Sequence, residues 1–149
     1  MAETTDDVTQ RVNIAAQGLL ENESLTADLD DQAAKTLLEW GLDCVRKIAQ
    51  DTAGMDEAQA EGDMYPRLRA TRTLLRTVNN TVASGSAMNT IFTSELITQI
   101  IEQAKVIYGP NFIPPGDEQR SAFVEHQPEL TGDISHQILK LREWIENSL

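Results

Sequence analysis

Residues 29–52 carry the feature that most constrains the fold of this chain, a broad apolar face at helical spacing. On a helical wheel drawn at about 100° per residue, the apolar side chains cover one continuous arc of roughly 200°. They are Ala33, Ala34, Leu37, Leu38, Trp40, Gly41, Leu42, Cys44, Val45, Ile48 and Ala49. A surface helix needs an apolar stripe only a little over about 100° wide. The pattern therefore predicts a helix covered on two sides, the central helix of a bundle.

Other segments also show helical periodicity, and none shows the alternation typical of a strand. We expect a first helix from Val8, then helices from 63–66 to 83, from 88–90 to 108 and from 131 to 147, with a short one over 117–126. Residues 55–62 are predicted to be a connection, and residues 84–86 a turn. The sequence thus predicts an all-α, single-domain bundle over residues 1–149, with about five helices plus one short helix and with residues 1–7 disordered.

The charge balance restricts the classes of partner. The chain holds 24 acidic and 12 basic residues, a net charge of −12. A negative field of this size disfavours non-specific contact with nucleic acid or an anionic membrane. No stretch approaches the roughly 18 consecutive apolar residues of a membrane span, and the polar, acidic start does not resemble a signal peptide. Since Cys44 is the single cysteine, an intramolecular disulfide is impossible, and we expect a buried thiol in a cytoplasmic protein.

The charges are distributed unevenly along the chain. Residues 64–94 contain no acid but hold Arg67, Arg69, Arg72 and Arg76. The last three share one helical face with Tyr65, and Asn80 and Thr73 lie along the edge of that face. Arg67 points toward the apolar side, where a buried guanidinium needs a carboxylate partner.

Two interpretations of this row of arginines stay open. Guanidinium groups at i, i+3 and i+7 can hold carboxylate or phosphate groups by paired hydrogen bonds, which predicts an anion-binding surface over Arg67, Arg69, Arg72, Arg76 and Asn80. The anion could be a nucleic-acid backbone, a phosphorylated ligand or an acidic patch on a protein. Alternatively, the row pairs with the acidic amino-terminal helices of its own bundle or is simply a solvated face.

Residues 68–107 have the outline of a helix–turn–helix, but the charge of the second helix argues against DNA reading. That helix holds one lysine and two glutamates among many aliphatic residues. A recognition helix needs basic side chains for phosphates and guanine edges. The charge of this helix therefore argues against nucleic acid as a partner.

Metal and acid–base chemistry have few candidate residues. His126 and His136 are the only histidines, and we expect the first at a helix end and the second in solvent. Asp133 and His136 match half of the carboxylate-x-x-His pairing of di-metal helix bundles, but no second such pair exists. The chain also lacks a Gly-x-Ser-x-Gly elbow and a glycine-rich phosphate loop. We therefore predict neither cofactor nor metal, and keep a metal-dependent enzyme only as a remote alternative.

Some apolar side chains fall outside the arcs that a single bundle would bury. They are Ile14, Leu139 and Trp144, to which the proline-rich loop after residue 109 adds Phe112. Several exposed apolar groups together indicate a binding surface more strongly than one alone. The leading hypothesis from the sequence is a non-catalytic interaction or regulatory module that forms a homodimer, and the alternative is an anion binder acting through its arginines.

Overall fold

The computed structural model describes residues 10, 14, 17–18, 25–27, 29–85, 93–126 and 134–147. Regular structure in these residues is entirely helical, which confirms the predicted all-α bundle. The helices are α1 (Asp31–Thr52), α2 (Glu57–Gly85), α3 (Ser94–Tyr108), α4 (Asp117–Glu125) and α5 (Ile134–Glu146). Residues 10, 14, 17 and 18 of the predicted first helix are also helical. The predicted disorder of residues 1–7 lies outside the described residues.

Helix α1 lies at the centre of the bundle, as its wide apolar arc predicts. It packs against α2, α3 and α5, and Leu37 and Trp40 have no exposed surface. The helix begins where the Asp30 carboxylate accepts a hydrogen bond of 2.8 Å from the backbone N–H of Ala33. At Gly41 an added Cβ would lie 2.6 Å from Cδ1 of Leu75. The missing side chain thus lets α1 and α2 approach closely.

The prediction of a break before Pro66 is wrong, because α2 is one helix of 29 residues with Pro66 inside it. It starts at Glu57, so the predicted connection over 55–62 is mostly helical. A proline leaves the carbonyl four residues earlier, here that of Gly62, without its helical donor. Both residues are exposed, and water can satisfy that carbonyl. Ala60 and Arg67 on either side are buried, so tertiary packing holds the helix through the proline.

The ends of α2 and α3 also differ from expectation at some points. Helix α2 continues through Gly85, into the predicted turn, and α3 begins at Ser94, later than the predicted 88–90. The reason for the later start is the Thr93 hydroxyl, which accepts a hydrogen bond of 3.2 Å from the N–H of Leu96. The predicted end at Gly109 is confirmed, with a positive φ of 82°.

The loop after α3 folds back on the bundle and corrects one predicted interface residue. Phe112 is buried, with 6% of its surface exposed, and its ring lies 5.7 Å from that of Tyr108. Its N–H donates to the carbonyl of Gly109 at 3.1 Å. This tight turn directs the aromatic ring inward, so Phe112 belongs to the core and offers no surface to a partner.

Helix α5 covers one side of α1 with a narrow apolar face, as its spacing predicts. Ile138, Leu141 and Ile145 are fully buried. At the edge of this contact Arg142 forms ion pairs with Asp43 of α1 and with Glu146. The packing of α5 on α1 is thus apolar at its centre and ionic at its margin.

Candidate interaction surface

Arg67 is a structural residue, which removes it from the predicted anion-binding set. Only 7% of its surface is exposed. Its Nη1 donates to Asp63 at 3.0 Å and its Nη2 to Asp51 at 2.6 Å. Its Nε and Nη2 also donate to the carbonyl of Ile107, at 3.0 and 2.7 Å. The expectation that a buried Arg67 needs a carboxylate partner is confirmed.

These contacts join three helices at one point. Asp51 lies in the last turn of α1, Arg67 in α2, and Ile107 in the last turn of α3. The final carbonyls of a helix have no donor within it. Arg67 therefore caps the carboxyl end of α3 by donating to one such carbonyl, and its positive charge also neutralises two carboxylates.

The other arginines of α2 form a different environment, an exposed row. Arg69, Arg72, Arg76 and Asn80 are all exposed, and Tyr65, on the same side, has 60% of its surface exposed. We call these five residues the arginine face. Neighbours along the row are three or four positions apart, the spacing of residues on one side of a helix.

Within the described chain, the arginines of this face form no ion pair or hydrogen bond with a described residue. The other described lysine and arginine side chains all have polar partners. Lys35, Arg46, Lys47, Arg67, Lys105, Lys140 and Arg142 each contact a carboxylate, and Arg120 donates to the Pro115 carbonyl. No described residue pairs with the row, and most of the acidic amino-terminal segment that the alternative invokes, before residue 25, lies outside the described residues. In a chain of net charge −12, acids outnumber bases, yet these cations stay exposed to solvent.

The remaining predicted interface residues differ in exposure, and the two on α5 lie apart. Ile14 is 64% exposed and Leu139 40%. Trp144 is half-buried and stacks on Phe123 of α4, with ring centroids 4.4 Å apart. Leu139 and Trp144 lie about 140° apart around α5 at about 100° per residue. Leu139 and Trp144 thus lie on different sides of α5.

A polar cluster inside the core involves Cys44, whose predicted burial is confirmed. Trp40 Nε1 donates to the Tyr108 hydroxyl at 2.9 Å, and the Cys44 Sγ lies 3.8 Å from the same oxygen. Burial raises the pKa of the Cys44 thiol to about 12. Burial, followed by the neighbouring Cys44, also raises the pKa of Tyr108 above its ordinary value. A neutral, enclosed thiol is a poor nucleophile, so this cluster is part of the packing.

The burial of Cys44 predicts a loss of stability in alkaline solution. The folded-state pKa of about 12 exceeds the ordinary thiol value of 9.0, so the stabilisation is complete below pH 9 and declines as the pH rises toward 12. The free energy of unfolding should fall by up to about 1.4 kcal/mol per pH unit from this group. Urea unfolding between pH 8 and 11 measures the slope. The raised pKa of the buried Tyr108 contributes to the slope in the same direction, so Cys44→Ala is the control, and we expect a shallower slope for it. Equal slopes would contradict the assignment.

The histidines do not assemble a metal site with other described residues. His136 is exposed on α5, as predicted, and His126 ends α4. In the described part of the chain, no group of three or more His, Cys, Asp or Glu side chains is placed to hold a metal ion. Asp133, the predicted neighbour of His136, lies outside the described residues.

Comparisons with family models, curated proteins and solved structures find no match for this chain. Across the described residues, no helix combines the length and the apolar character needed to cross a membrane.

Proposed function

We propose that this chain is a non-catalytic protein-interaction module whose arginine face binds a carboxylate-rich segment of a protein partner. One observation carries the proposal: Arg69, Arg72 and Arg76 are exposed on one side of α2 and have no polar partner among the described residues. Arginine guanidinium groups bind carboxylates through paired hydrogen bonds, so a row of them favours an acidic partner. The single cysteine, which cannot form an intramolecular disulfide, is consistent with a reducing compartment, and we propose the cytoplasm.

The dimensions of the row favour an acidic helix as the partner. From Arg69 to Arg76 the helix rises about 10 Å, at about 1.5 Å per residue. Acidic side chains at i, i+3 and i+7 on a second helix have the same spacing. Tyr65 lies at one end of the row and supplies an aromatic contact of the kind enriched at protein interfaces.

A nucleic acid fits the same surface less well. Its phosphates continue beyond the row in both directions, and double-stranded DNA carries one charge per about 1.7 Å. Beyond Tyr65, toward the start of α2, the next exposed charges are Glu61 and Glu57, which repel phosphates. The net charge of −12 repels any acidic partner at long range, and this repulsion is smaller for a short acidic segment than for a polymer that carries charge along its whole length.

Reversing the charge of the row should abolish binding to an acidic peptide. We expect the variant Arg69→Glu, Arg72→Glu, Arg76→Glu to bind fluorescein-labelled poly-glutamate about a hundredfold more weakly than the wild type at low salt. Each reversal replaces an attraction of up to about 1 kcal/mol by a repulsion of similar size. Fluorescence anisotropy measures the Kd, and circular dichroism checks that the helices persist.

A matched control separates this surface from net charge. The variant Lys35→Glu, Lys105→Glu, Lys140→Glu changes the net charge equally, at exposed lysines on three other helices. We expect its Kd to stay within about threefold of the wild-type value, because these lysines lie off the arginine face. Equal weakening in both variants would show that only net charge matters. Tighter binding to an oligothymidine than to the peptide would favour the nucleic-acid alternative.

A further inference from the structure

The exposed side of α2 carries opposite charges toward its two ends. Glu57 and Glu61 lie in the first turns, and Arg72 and Arg76 lie farther along, all exposed. Together with Tyr65 they occupy a strip about 100° wide, at about 100° per residue. We call these five residues the charged strip.

The strip is complementary to itself in the antiparallel direction. The pair Glu61 and Arg72 is centred, along the sequence, between residues 66 and 67. The pair Glu57 and Arg76 has the same centre. When two identical helices pack antiparallel about a twofold axis at that midpoint, Glu61 faces Arg72 of the other copy and Glu57 faces its Arg76. The symmetry repeats both pairs, so four intermolecular ion pairs form. Tyr65 of each copy lies next to the axis, about 2 Å along the helix from it.

We infer that the partner of this module is a second copy of the same chain, docked antiparallel along α2 through the charged strip. The inference rests on the proposed function, because it uses two of the same arginines. It adds the source of the carboxylates, Glu57 and Glu61 of the second copy. Twofold dimers with one self-complementary surface are by far the commonest oligomers of soluble proteins.

The surface of α2 is open enough for such a contact. Gly62 lies beside Tyr65 on this side of the helix, and an added Cβ there would meet no atom within 4 Å. The 29 residues of α2 give a helix about 43 Å long, at about 1.5 Å per residue. Each copy has a net charge of −12, but at physiological salt this repulsion is screened beyond about 8 Å, whereas pairs in contact are screened less.

Charge-reversed variants test the pairing directly. We expect light scattering on a sizing column at physiological salt to give twice the chain mass of 16.5 kDa for the wild type. Glu57→Arg, Glu61→Arg makes the strip entirely basic, and Arg72→Glu, Arg76→Glu makes it entirely acidic. Each variant alone should be a monomer, because like charges face each other. An equimolar mixture should recover the dimer, as should one chain that carries all four changes.

The control variant Lys105→Glu, Lys140→Glu matches the charge change of the acidic variant and should remain a dimer. Recovery in the mixture also shows that both variants are folded. A wild-type monomer at high concentration, or a mixture that stays monomeric, would overturn the inference. A wild-type monomer that still binds poly-glutamate through the arginine face leaves the proposed function intact, whereas a monomer without that binding contradicts both proposals.

Discussion

Replacing Arg67 by methionine should lower the free energy of unfolding by about 3 kcal/mol, since breaking a buried ion pair typically costs about 3–5 kcal/mol. The substitution keeps an apolar stem and removes every donor. The carbonyl of Ile107 then loses two hydrogen bonds and Asp63 loses its cation, whereas Asp51 loses Arg67 but keeps its ion pair with Lys47. The carboxylates are 38% and 42% exposed, so water partly replaces the guanidinium. The loss should therefore fall at the low end of that range.

The same change two positions along the helix provides the control. Arg69→Met removes an exposed guanidinium that has no described partner, and exposed sites of this kind change stability by about 0.5 kcal/mol or less. Urea unfolding followed by circular dichroism gives both midpoints, and an unchanged m-value permits the comparison. Equal losses in the two variants would mean that the contacts of Arg67 with three helices add nothing to stability.

Replacing Trp40 by alanine should be at least as damaging, with a loss of about 4 kcal/mol, within the range of about 3–5 kcal/mol for a buried large aromatic residue. Trp40 is fully buried at the centre of α1. Its removal leaves a cavity between α1 and its neighbours and takes the donor from the Tyr108 hydroxyl. A buried polar group without its partner costs about 1–3 kcal/mol.

The second tryptophan serves as the comparison for Trp40. Trp144 is half-buried and contacts Phe123 at the edge of the bundle, so Trp144→Ala removes less buried surface and should cost about 1–2 kcal/mol. The signal should be circular dichroism, because each variant loses one fluorophore. A smaller loss for Trp40→Ala than for Trp144→Ala would contradict the central position of α1. The variant Trp40→Phe keeps most of the side-chain volume but has no indole N–H. Its loss of unfolding free energy should lie between those of Trp144→Ala and Trp40→Ala.

The candidate site was only partly predictable from the sequence. The wheel placed Arg69, Arg72 and Arg76 on one face, because that relation depends only on helical spacing. It did not place Glu57 and Glu61 on the same face, because residues 55–62 were predicted to be a connection. The continuity of α2 through Pro66 depends on the burial of residues on both sides of the proline. The charged strip became visible only with that helix complete.

The sequence by itself determined most of the helical segments, though not the helical start of α2, and which helix is central. The apolar arc of α1 is set by side-chain chemistry and a fixed turn per residue, and the end of α3 at Gly109 by backbone freedom at one glycine. The tertiary structure decided which charges meet. Arg67 contacts Asp51, sixteen residues before it, and Ile107, forty residues after it, whereas Arg69 contacts neither. Such pairs depend on distances between packed helices, which no local pattern encodes.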